Sequence, residues 1–547
     1  MAKKLIALLL AVLMVAGMFA ACAKTAETPA PAEDSANDTT DATGDTAKTD
    51  ETVSTEEPIE ITIAYEANPN FPADPETFAP CQKLADELGI KITWLDWGTE
   101  ADTYIEKLDL AMASGSAPDM FMIHTAVAAR RYVDQELLYC IEDNWGDYPN
   151  ISKYLDNEDV RNSITYAADG KLYTAAKQYS SPVYFFGLLA RQDIIDKIGF
   201  NYDGTIESLT DLMRAMKEET GTYTFTFRHQ PNNFINMWAP TFGVQMETLG
   251  WNKEDGKYEF QGENGRLFDE LTWLKQLYDE GLLDPEYALN TTEMWEEKMT
   301  TGQATMAIDY LVRCEQTTNA VLAEDPDSSF ELRAIALPVT KDNYKPATLA
   351  YSAVDAQYQI GINADTKYPD ICMQILNYLY SDEAIIANNY GEEGVTFNYV
   401  DGKPVLSENV PNVMNNFTTP GDPLNVGEYK ANRIPFFDLI IDTDLNALTY
   451  YGNLSYDGYI MYKENEWLDD VKPVIPSSYF TSEESDELID IQVMVQEYTA
   501  AQFQDFIDGT RPLTQEEFNK FVDECMNDYD AARWCELKNA AYAAWQG

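Results

Sequence analysis

The residues with the clearest chemical potential are aromatic and planar polar side chains that directly follow predicted strands. Asn70 and Trp97 come after the first two strands, and His124 and Thr125 come after the third. Aromatic rings stack on apolar ligand faces, and planar polar groups hydrogen bond to ligand hydroxyls. Because the carboxyl ends of strands border the crevice of an open α/β sheet, we expect these residues to bind a ligand. Six later residues have the same character: Asn232, Trp238, Asp309, Tyr310, Tyr351 and Asp355.

No catalytic motif accompanies these side chains. The sequence has no GxSxG, HExxH, GxxxxGK[ST] or GxGxxG pattern. Its two histidines, His124 and His229, are isolated, which disfavours a histidine-ligated metal site. The 93 acidic residues leave a glycosidase-type carboxylate pair open as a remote alternative, but no motif singles out two of them. We therefore expect no enzyme activity, no cofactor and no metal at the site.

The charge of the chain excludes one class of partner. The 547 residues include 37 basic and 93 acidic side chains, which gives a formal net charge of −56. Such a surface repels phosphate backbones and anionic lipid headgroups, so we expect no nucleic acid partner. The acidity is typical of a solubility device on an exposed protein. The length predicts several domains or one large two-lobed unit.

The first residues have the pattern of an export signal. Lys3 and Lys4 precede the apolar run Leu5–Phe19, which is too short to span a bilayer comfortably, and small residues then lead to Cys22. This order resembles the bacterial lipoprotein signal, although phenylalanine stands where that signal prefers leucine. The resemblance implies a signal peptide at 1–21 and a lipid such as palmitate on Cys22. A plain secretory signal with an incidental cysteine is the alternative.

The next segment has the composition of a tether. Residues 23–57 contain no aromatic residue, and Val53 is their one large aliphatic side chain. Such a segment buries too little apolar surface to offset its ordering entropy, and its like charges extend it. We therefore predict that 22–57 is a disordered acidic tether, which holds the folded body on the extracellular face of the cell membrane.

The six remaining cysteines form neither a CxxC pair nor a zinc-binding spacing. We expect mostly buried free thiols, and a disulfide between Cys525 and Cys535 stays open because spacing alone cannot establish one. The six are Cys81, Cys140, Cys314, Cys372, Cys525 and Cys535.

The elements that must position the candidate residues alternate in type. Ile59–Tyr65, Ile90–Trp94 and Asp119–Ile123 have the patterns of strands, and they are separated by helix candidates at Phe78–Leu88 and Thr103–Ala113. This alternation predicts a parallel sheet with crossover helices. An apolar strand is predicted over Val183–Ala190, and the last hundred residues are predicted to be mainly helical.

Five segments in order resemble the extracellular solute-binding proteins of family 1, in particular their large lipoprotein members from Gram-positive bacteria. The first has the helix–Ser–Gly–x–x–Pro–Asp–strand pattern, and the second combines a Gly-Lys-Leu-Tyr strand with an Arg-x-Asp strand. One departure is Glu392-Glu393, where other members often have Ile-Glu. The segments are Lys107–Phe121, Gly170–Tyr173 with Leu189–Asp193, Gly302–Ile308, Tyr390–Asn398 with Asp401–Lys403, and Phe506–Leu513.

The resemblance implies an α/β, two-lobed periplasmic-binding-protein-like fold of the class II type, with crossing hinge strands and a helical C-terminal region. Ligand binds between such lobes, and hinge closure traps it for delivery to the membrane permease of an ABC transporter. The implied cargo is a carbohydrate, most naturally an oligosaccharide. In the resemblance, the position of His124 contributes sugar contacts, and that of Tyr310 often holds a stacking aromatic residue.

The predicted division of the body follows from this fold. We expect the first part of lobe 1 at 58–182, the first part of lobe 2 at 183–348, a return to lobe 1 at 349–455, and a mainly helical region at 456–547 that completes the lobes. The protein is expected to be a monomer.

Other functions of the same fold stay open at this stage. The alternatives are binding of a peptide or polyamine, and a role as a sensor subunit. A structural calcium ion is a further possibility from the resemblance. The turns at Asp203-Gly204 and Asp255-Gly256 lack the leading aspartate and closing glutamate of an EF-hand loop.

Overall fold

The computed structural model describes most of the chain after residue 57. Contacts divide the chain into two units, Met1–Glu57 and Pro58–Gly547, and every described residue lies in the second. The predicted signal peptide, Cys22 and the tether lie outside the described residues, as do Asn70 and His229. The described residues are 58–67, 75, 79–167, 169–181, 183–184, 186–228, 231–244, 248–252, 254–340, 350–351, 353–407, 436, 438–451, 453–467 and 473–546.

The described strands form two main sheets and three two-stranded ones. In chain order they are β1 (Ile59–Tyr65), β2 (Ile90–Asp96), β3 (Met120–Ile123), β4 (Thr174–Tyr179), β5 (Val183–Tyr184), β6 (Phe186–Arg191), β7 (Phe225–Thr226), β8 (Leu249–Asn252), β9 (Lys257–Phe260), β10 (Met306–Tyr310), β11 (Leu332–Ile335), β12 (Ala350–Tyr351), β13 (Val354–Ile362), β14 (Phe397–Val400), β15 (Lys403–Leu406) and β16 (Ile440–Ile441).

The described α-helices cover the two main sheets and make up most of the C-terminal region. They are α1 (Ala79–Leu88), α2 (Ala101–Ser114), α3 (Ala126–Asp134), α4 (Pro149–Leu155), α5 (Glu158–Ile164), α6 (Gln192–Ile198), α7 (Ile206–Thr220), α8 (Pro231–Trp238), α9 (Arg266–Asp279), α10 (Thr292–Thr300), α11 (Arg313–Glu324), α12 (Pro369–Leu379), α13 (Asp382–Tyr390), α14 (Thr443–Tyr451), α15 (Asn453–Glu464), α16 (Ser482–Asp508), α17 (Gln515–Asn527) and α18 (Ala531–Gln546).

The first lobe is built on a six-stranded sheet of order β16-β4-β13-β3-β1-β2. β1 pairs in parallel with both β2 and β3, which confirms the parallel sheet predicted from the strand–helix alternation. β13 returns from the second lobe and inserts antiparallel between β3 and β4, so the whole sheet is mixed. Buried apolar side chains such as Ile63, Phe121 and Leu376 form the core of this lobe.

Local sequence explains where the crossover helices end. α2 buries Tyr104, Leu108 and Met112 on one face, at the spacing of an amphipathic helix. Gly115 ends it in the left-handed conformation, with φ of 67°, which a residue without a Cβ adopts at little cost. The helix is three residues longer than the predicted Thr103–Ala113. The added residues lie outside the apolar repeat from which the helix was predicted.

The second lobe is built on a four-stranded sheet of order β11-β6-β10-β7. β6 pairs antiparallel with β10 and β11, and β7 pairs in parallel with β10. The C-terminal helices pack into the core of this lobe, where Ala447, Phe506 and Trp534 are buried. Tyr462 of α15 fixes this packing, because its hydroxyl accepts a hydrogen bond from Leu188 N (2.8 Å) and donates one to Ile335 O (2.8 Å).

Within the described part of the chain, segments 179–186, 350–354 and 441–443 cross between the lobes. They are hydrogen bonded to one another: Tyr179 N donates to Ala353 O (2.7 Å), and Thr443 Oγ1 donates to Ser181 O (2.9 Å). The predicted strand Val183–Ala190 is therefore divided, since Val183–Tyr184 pairs with β12 in the crossing region and the rest enters the second sheet. A short paired bundle of this kind can act as a hinge.

Arg130 forms a further connection between the lobes. From α3 of the first lobe, its guanidinium donates to Ser477 O (2.7 Å), Phe480 O (2.8 Å) and Ser485 Oγ (2.9 Å). Phe480 is part of the second core, and Ser485 lies in the first turn of α16. The C-terminal region is thus tied to the first lobe by side-chain hydrogen bonds.

The six described cysteines are free thiols, and Cys525 and Cys535 do not form a disulfide. All except Cys140 are buried, as expected from the scattered spacing. Burial raises the pKa of the Cys535 thiol to about 12, so it is protonated at neutral pH.

Glu270 is a buried acid in the second core, on the inner face of α9. It is fully buried, and neither carboxyl oxygen has a hydrogen-bond partner among the described residues. Burial raises the pKa of this carboxyl well above its ordinary value of 4.5. The folded protein therefore keeps a proton on Glu270 at a pH where the unfolded chain releases it.

We expect the free energy of unfolding to fall as the pH rises above the unfolded-state pKa of Glu270. Below that value both states are protonated and no penalty arises. Above it the loss is about 1.4 kcal/mol per pH unit until the folded-state pKa is reached. Glu270→Gln should flatten this decline in urea unfolding between pH 5 and pH 8, whereas Asp279→Asn on the exposed face of α9 should not. An unchanged slope in Glu270→Gln would contradict this account.

Candidate ligand-binding site

The register of the first sheet brings the ends of β1, β2 and β3 to one edge. Tyr65 is paired with Asp96, and Ile123 is paired with Gln359 of β13, which the first residues of that strand precede on the same side. β4 runs toward the crossing segments and ends at Tyr179 on the same side. This hinge-facing edge of the first lobe therefore carries the residues that follow β1, β2 and β3 and the first residues of β13.

An aromatic cluster lies at this edge, and His124 is its centre. The imidazole ring lies 4.7 Å from the Tyr104 ring and 5.5 Å from the Tyr358 ring, centroid to centroid, and Trp97 lies 5.4 Å from Tyr104. The Tyr104 hydroxyl is anchored in the core, since it donates to Ala64 O (3.1 Å) and accepts from Met122 N (3.0 Å). Tyr358 is 39% exposed and Trp97 is half-buried, so these two rings present surface to a ligand.

Polar groups accompany the rings. His124 Nε2 lies 2.6 Å from Glu66 Oε2, and its Nδ1 is buried with no hydrogen-bond partner among the described residues. Thr125 caps α3 by accepting a hydrogen bond from Ala128 N (3.0 Å), which gives its hydroxyl a structural role. Of the four residues predicted after the first three strands, the structure brings Trp97 and His124 into one cluster.

A second polar group lies on β4 and β13 of the same edge. Lys177 is paired in register with Asp355, and its ammonium donates to Asp438 Oδ2 (2.7 Å). Burial alone would lower the pKa of Lys177, but the nearby Asp438 charge outweighs it and the pKa lies above its ordinary value. Burial raises the pKa of Asp355, which accepts a hydrogen bond from Gln357 N (2.9 Å).

The second lobe presents its own edge to the crossing segments. β6 starts at Phe186 beside the hinge and pairs there with Tyr310, the last residue of β10. The two rings lie 4.2 Å apart at 31°, so buried Phe186 supports one face of half-buried Tyr310. Because β7 runs parallel to β10, Arg228 lies level with Asp309 at the same edge.

Asp309 organises this second edge from below the surface. It is fully buried and accepts hydrogen bonds from Arg228 Nε (2.6 Å), Arg228 Nη2 (2.8 Å) and Tyr310 N (2.7 Å). Arg228 also donates to Thr292 Oγ1 (3.0 Å). The carboxylate thus positions Arg228 and Tyr310, and this geometry makes it a positioning residue for the edge.

Trp295 separates the two arginines of the edge. Its buried ring lies 5.6 Å from the guanidinium carbon of Arg228 and 5.6 Å from that of Arg313, an arrangement that favours cation–π attraction. Arg313 donates to Glu296 Oε1 (2.6 Å) and lies 3.9 Å from Asp309 Oδ1. These side chains could not be placed from the sequence, because nothing local in α10 or α11 shows which face meets the sheet.

The remaining predicted residues lie elsewhere. Trp238 is 1% exposed and packs against Phe225 (5.5 Å) and Trp273 (4.8 Å), which corrects the expectation that its ring lines the site. Tyr351 lies in the crossing strand β12 and Asn232 lies in α8, but their side chains are outside the described part.

A surface cavity of about 790 Å³ lies away from both edges. It is lined by charged residues at the far end of the second sheet, including Arg191, Asp193 and Glu331, and by no aromatic side chain. Stacking surface is therefore found at the hinge-facing edges and not in this cavity.

Neither turn that was weighed as a calcium loop gathers ligands. Asp203 Oδ1 accepts hydrogen bonds from Thr205 N (3.0 Å) and Thr205 Oγ1 (2.7 Å), and Asp255-Gly256 forms the turn between β8 and β9. Among the described residues, no group of three or more His, Cys, Asp or Glu side chains could hold a metal ion. No helix in the same residues is long and apolar enough to cross a membrane.

Comparison with known sequences identifies related binding proteins. Lipoprotein LipO of Bacillus subtilis is 22% identical over 351 residues, which are 60% of this chain and 66% of LipO. The fructooligosaccharide ABC transporter substrate-binding protein FusA of Streptococcus pneumoniae is 24% identical over 247 residues, which are 40% of this chain and 44% of FusA. The chain thus aligns with less than two thirds of the length of either relative.

Comparison with solved structures supports the fold. The crystal structure of alginate-binding protein AlgQ2 without calcium ion superposes with a TM-score of 0.68 at 18% identity, and the match covers 89% of this chain and 99% of that protein. FusA in complex with kestose gives a TM-score of 0.66 at 16% identity, with 89% and 99% covered. The predicted two-lobed α/β fold is confirmed.

A family model covers more than half of the chain. The model described as bacterial extracellular solute-binding protein matches residues 77–392, which include the crossing segment 179–186 and the edge residues Trp97, His124 and Tyr310. The chain therefore belongs to the family of bacterial extracellular solute-binding proteins.

Proposed function

We propose that this protein binds an oligosaccharide between its two lobes and delivers it to the permease of an ABC transporter. The observation that carries the proposal is the presence of aromatic stacking surface at both hinge-facing edges. Tyr310 on Phe186 provides it in the second lobe, and Trp97 and Tyr358 provide it in the first. Sugar rings have apolar C–H faces that stack on such surfaces, and their hydroxyls require nearby polar groups such as Glu66 and His124.

The names of the relatives support the same ligand class. FusA is described as a fructooligosaccharide-binding protein and AlgQ2 as an alginate-binding protein, and both descriptions are of carbohydrate ligands. A family of binding proteins, together with the absence of a catalytic motif, also supports a role without enzyme activity.

The location and partners are part of the proposal. The signal-like run before Cys22 and the name of LipO support a lipid anchor on the extracellular face of the membrane. The anchor would keep the binding protein close to the permease subunits, and a monomer with a mobile hinge meets the needs of ligand transfer.

We expect a thermal-shift screen to detect the ligand class. The screen uses the purified protein with oligosaccharides, peptides, polyamines and metal ions. A ligand that binds only the folded state raises the melting temperature with its concentration over its Kd. A shift with one group of oligosaccharides, without turnover of the sugar, is the expected result. A shift with peptides or polyamines alone would overturn the carbohydrate proposal.

Tyr310→Ala should weaken binding of that oligosaccharide at least about tenfold, because it removes the half-buried ring of the Phe186–Tyr310 stack. Titration calorimetry measures the change. Tyr399→Ala is the matched control, since Tyr399 is a 46% exposed tyrosine on the β14–β15 hairpin, and its Kd should stay unchanged. Equal Kd values for the wild type and Tyr310→Ala would remove Tyr310 from the site.

A further inference from the structure

We infer that the ligand is an uncharged oligosaccharide and that acidic oligosaccharides carrying uronate groups are excluded. The inference rests on the proposed function, since it narrows the ligand class of the same site. It depends on where the cations of the two hinge-facing edges lie and what already neutralises them. The relatives leave the question open, because their names include both an alginate-binding and a fructooligosaccharide-binding protein.

Arg191 is remote from the edges. It is the last residue of β6, whereas Phe186 at the other end of the strand borders the hinge. Its guanidinium is paired with the Asp193 carboxylate (2.7 Å) in the cavity at the far end of the sheet. It therefore provides no positive charge for a ligand at the hinge-facing edges.

The two arginines that do reach the second edge are already engaged. The Arg228 side chain is 8% exposed and forms a bidentate ion pair with the fully buried Asp309. Arg313 is paired with Glu296 at 2.6 Å and also lies 3.9 Å from Asp309. A ligand carboxylate would have to displace a protein carboxylate from one of these pairs and leave that carboxylate without its partner.

The first edge has the same character. Lys177 is paired with Asp438 at 2.7 Å, and both side chains are mostly buried. Glu66 is paired with His124, and Asp355 lies opposite Lys177 in the register of β4 and β13. The exposed Lys107 also reaches this edge, where its ammonium donates to Trp97 O (2.9 Å), and the exposed Asp96 carboxylate at the end of β2 accepts a hydrogen bond from Gly98 N (2.8 Å).

The balance of charge at the two edges is therefore acidic. Among the described residues of the two edges, four Lys or Arg side chains lie with six carboxyl groups. A uronate would meet net repulsion in a partly dehydrated site, where charge–charge interactions are stronger than in water. An uncharged sugar meets no such repulsion and uses the rings and hydrogen-bonding groups that are present. The cations are Lys107, Lys177, Arg228 and Arg313, and the carboxyl groups are those of Glu66, Asp96, Asp355, Asp438, Asp309 and Glu296.

The test compares neutral and acidic oligosaccharides of equal length by titration calorimetry on the purified protein, and it includes oligogalacturonates beside their methyl esters, which differ only in charge. We expect binding within the neutral set only, with a Kd that changes less than about twofold between low salt and about 0.5 M NaCl. A uronate oligosaccharide that binds as tightly as the best neutral one would overturn the inference and leave the proposed function standing. Binding of neither set would overturn the proposed function itself.

A charge variant tests the cause of the exclusion. Glu296→Gln removes the more exposed of the two carboxylates near Arg313. Arg313 can then pair with a ligand carboxylate, so the affinity for acidic oligosaccharides relative to neutral ones should rise about tenfold. Glu331→Gln is the matched control, because it removes a carboxylate from Arg333 at the far end of the second sheet. An unchanged ratio in Glu296→Gln would show that paired arginines are not what excludes acids.

Discussion

Asp309→Asn should lower the free energy of unfolding by about 3–5 kcal/mol and weaken ligand binding at the same time. The substitution leaves the Arg228 guanidinium buried without the carboxylate that accepts both its Nε and Nη2 protons. It also changes the acceptor of Tyr310 N, so the ring that is proposed to stack on the ligand loses its fixed position. Urea unfolding measures the first effect, and calorimetry with the identified oligosaccharide measures the second.

Glu296→Gln serves as the control for this prediction. Its carboxylate is 46% exposed and pairs with Arg313 at the same edge, and exposed pairs contribute little to stability. We expect it to change the unfolding free energy far less than Asp309→Asn does. If the two variants unfold at the same urea concentration, the buried Arg228–Asp309 pair does not organise the edge.

Lys298→Met should have an equally large effect on stability, about 3–5 kcal/mol, without contacting the ligand. The Lys298 ammonium donates to Asp284 Oδ2 (2.9 Å), Glu286 Oε2 (2.9 Å) and Asn290 Oδ1 (2.7 Å). Asp284 is fully buried, and its Oδ2 also accepts a hydrogen bond from Thr226 Oγ1 (2.7 Å) in β7. Removal of the ammonium leaves a buried carboxylate beside the strand that leads to Arg228.

The double variant Lys298→Met with Asp284→Asn distinguishes charge from packing. Because it removes both buried charges, we expect it to recover part of the lost stability, so the two substitutions should be non-additive. Lys520→Met, which removes an exposed lysine paired with Glu516 and Glu517, should change stability little. Additive effects of the first two substitutions would contradict the proposed coupling. Chemical unfolding of the two single variants, the double variant and Lys520→Met decides the question.

The local part of the fold could be predicted from the sequence. Apolar and polar residues alternate in Ile59–Tyr65, and apolar residues recur at helical spacing in the helices that follow. These local patterns were enough to predict the parallel pairing of β1 with β2 and β3. The insertion of β13 between β3 and β4 could not be predicted in this way, because about 180 residues separate β4 from β13. That insertion places Asp355 opposite Lys177, so half of the first edge depends on long-range pairing.

Only part of the candidate site could be predicted from the sequence, for a related reason. The rule that ligand-binding residues follow strands led to Trp97, His124 and Tyr310, which lie at the hinge-facing edges. The same rule cannot distinguish a ring that faces a ligand from one that faces the core, which is why Trp238 was expected at the site. Tyr358 and Trp295 were missed because one lies in an irregular part of β13 and the other on a helix.

The measurement that tests the central claim most directly is a crystal structure of the protein with the oligosaccharide that raises its melting temperature. We predict that the sugar lies between the lobes, with one ring on Tyr310 and another on Trp97 or Tyr358. A sugar bound in the cavity beside Arg191 at the far end of the second lobe, with the hinge-facing edges empty, would contradict the account.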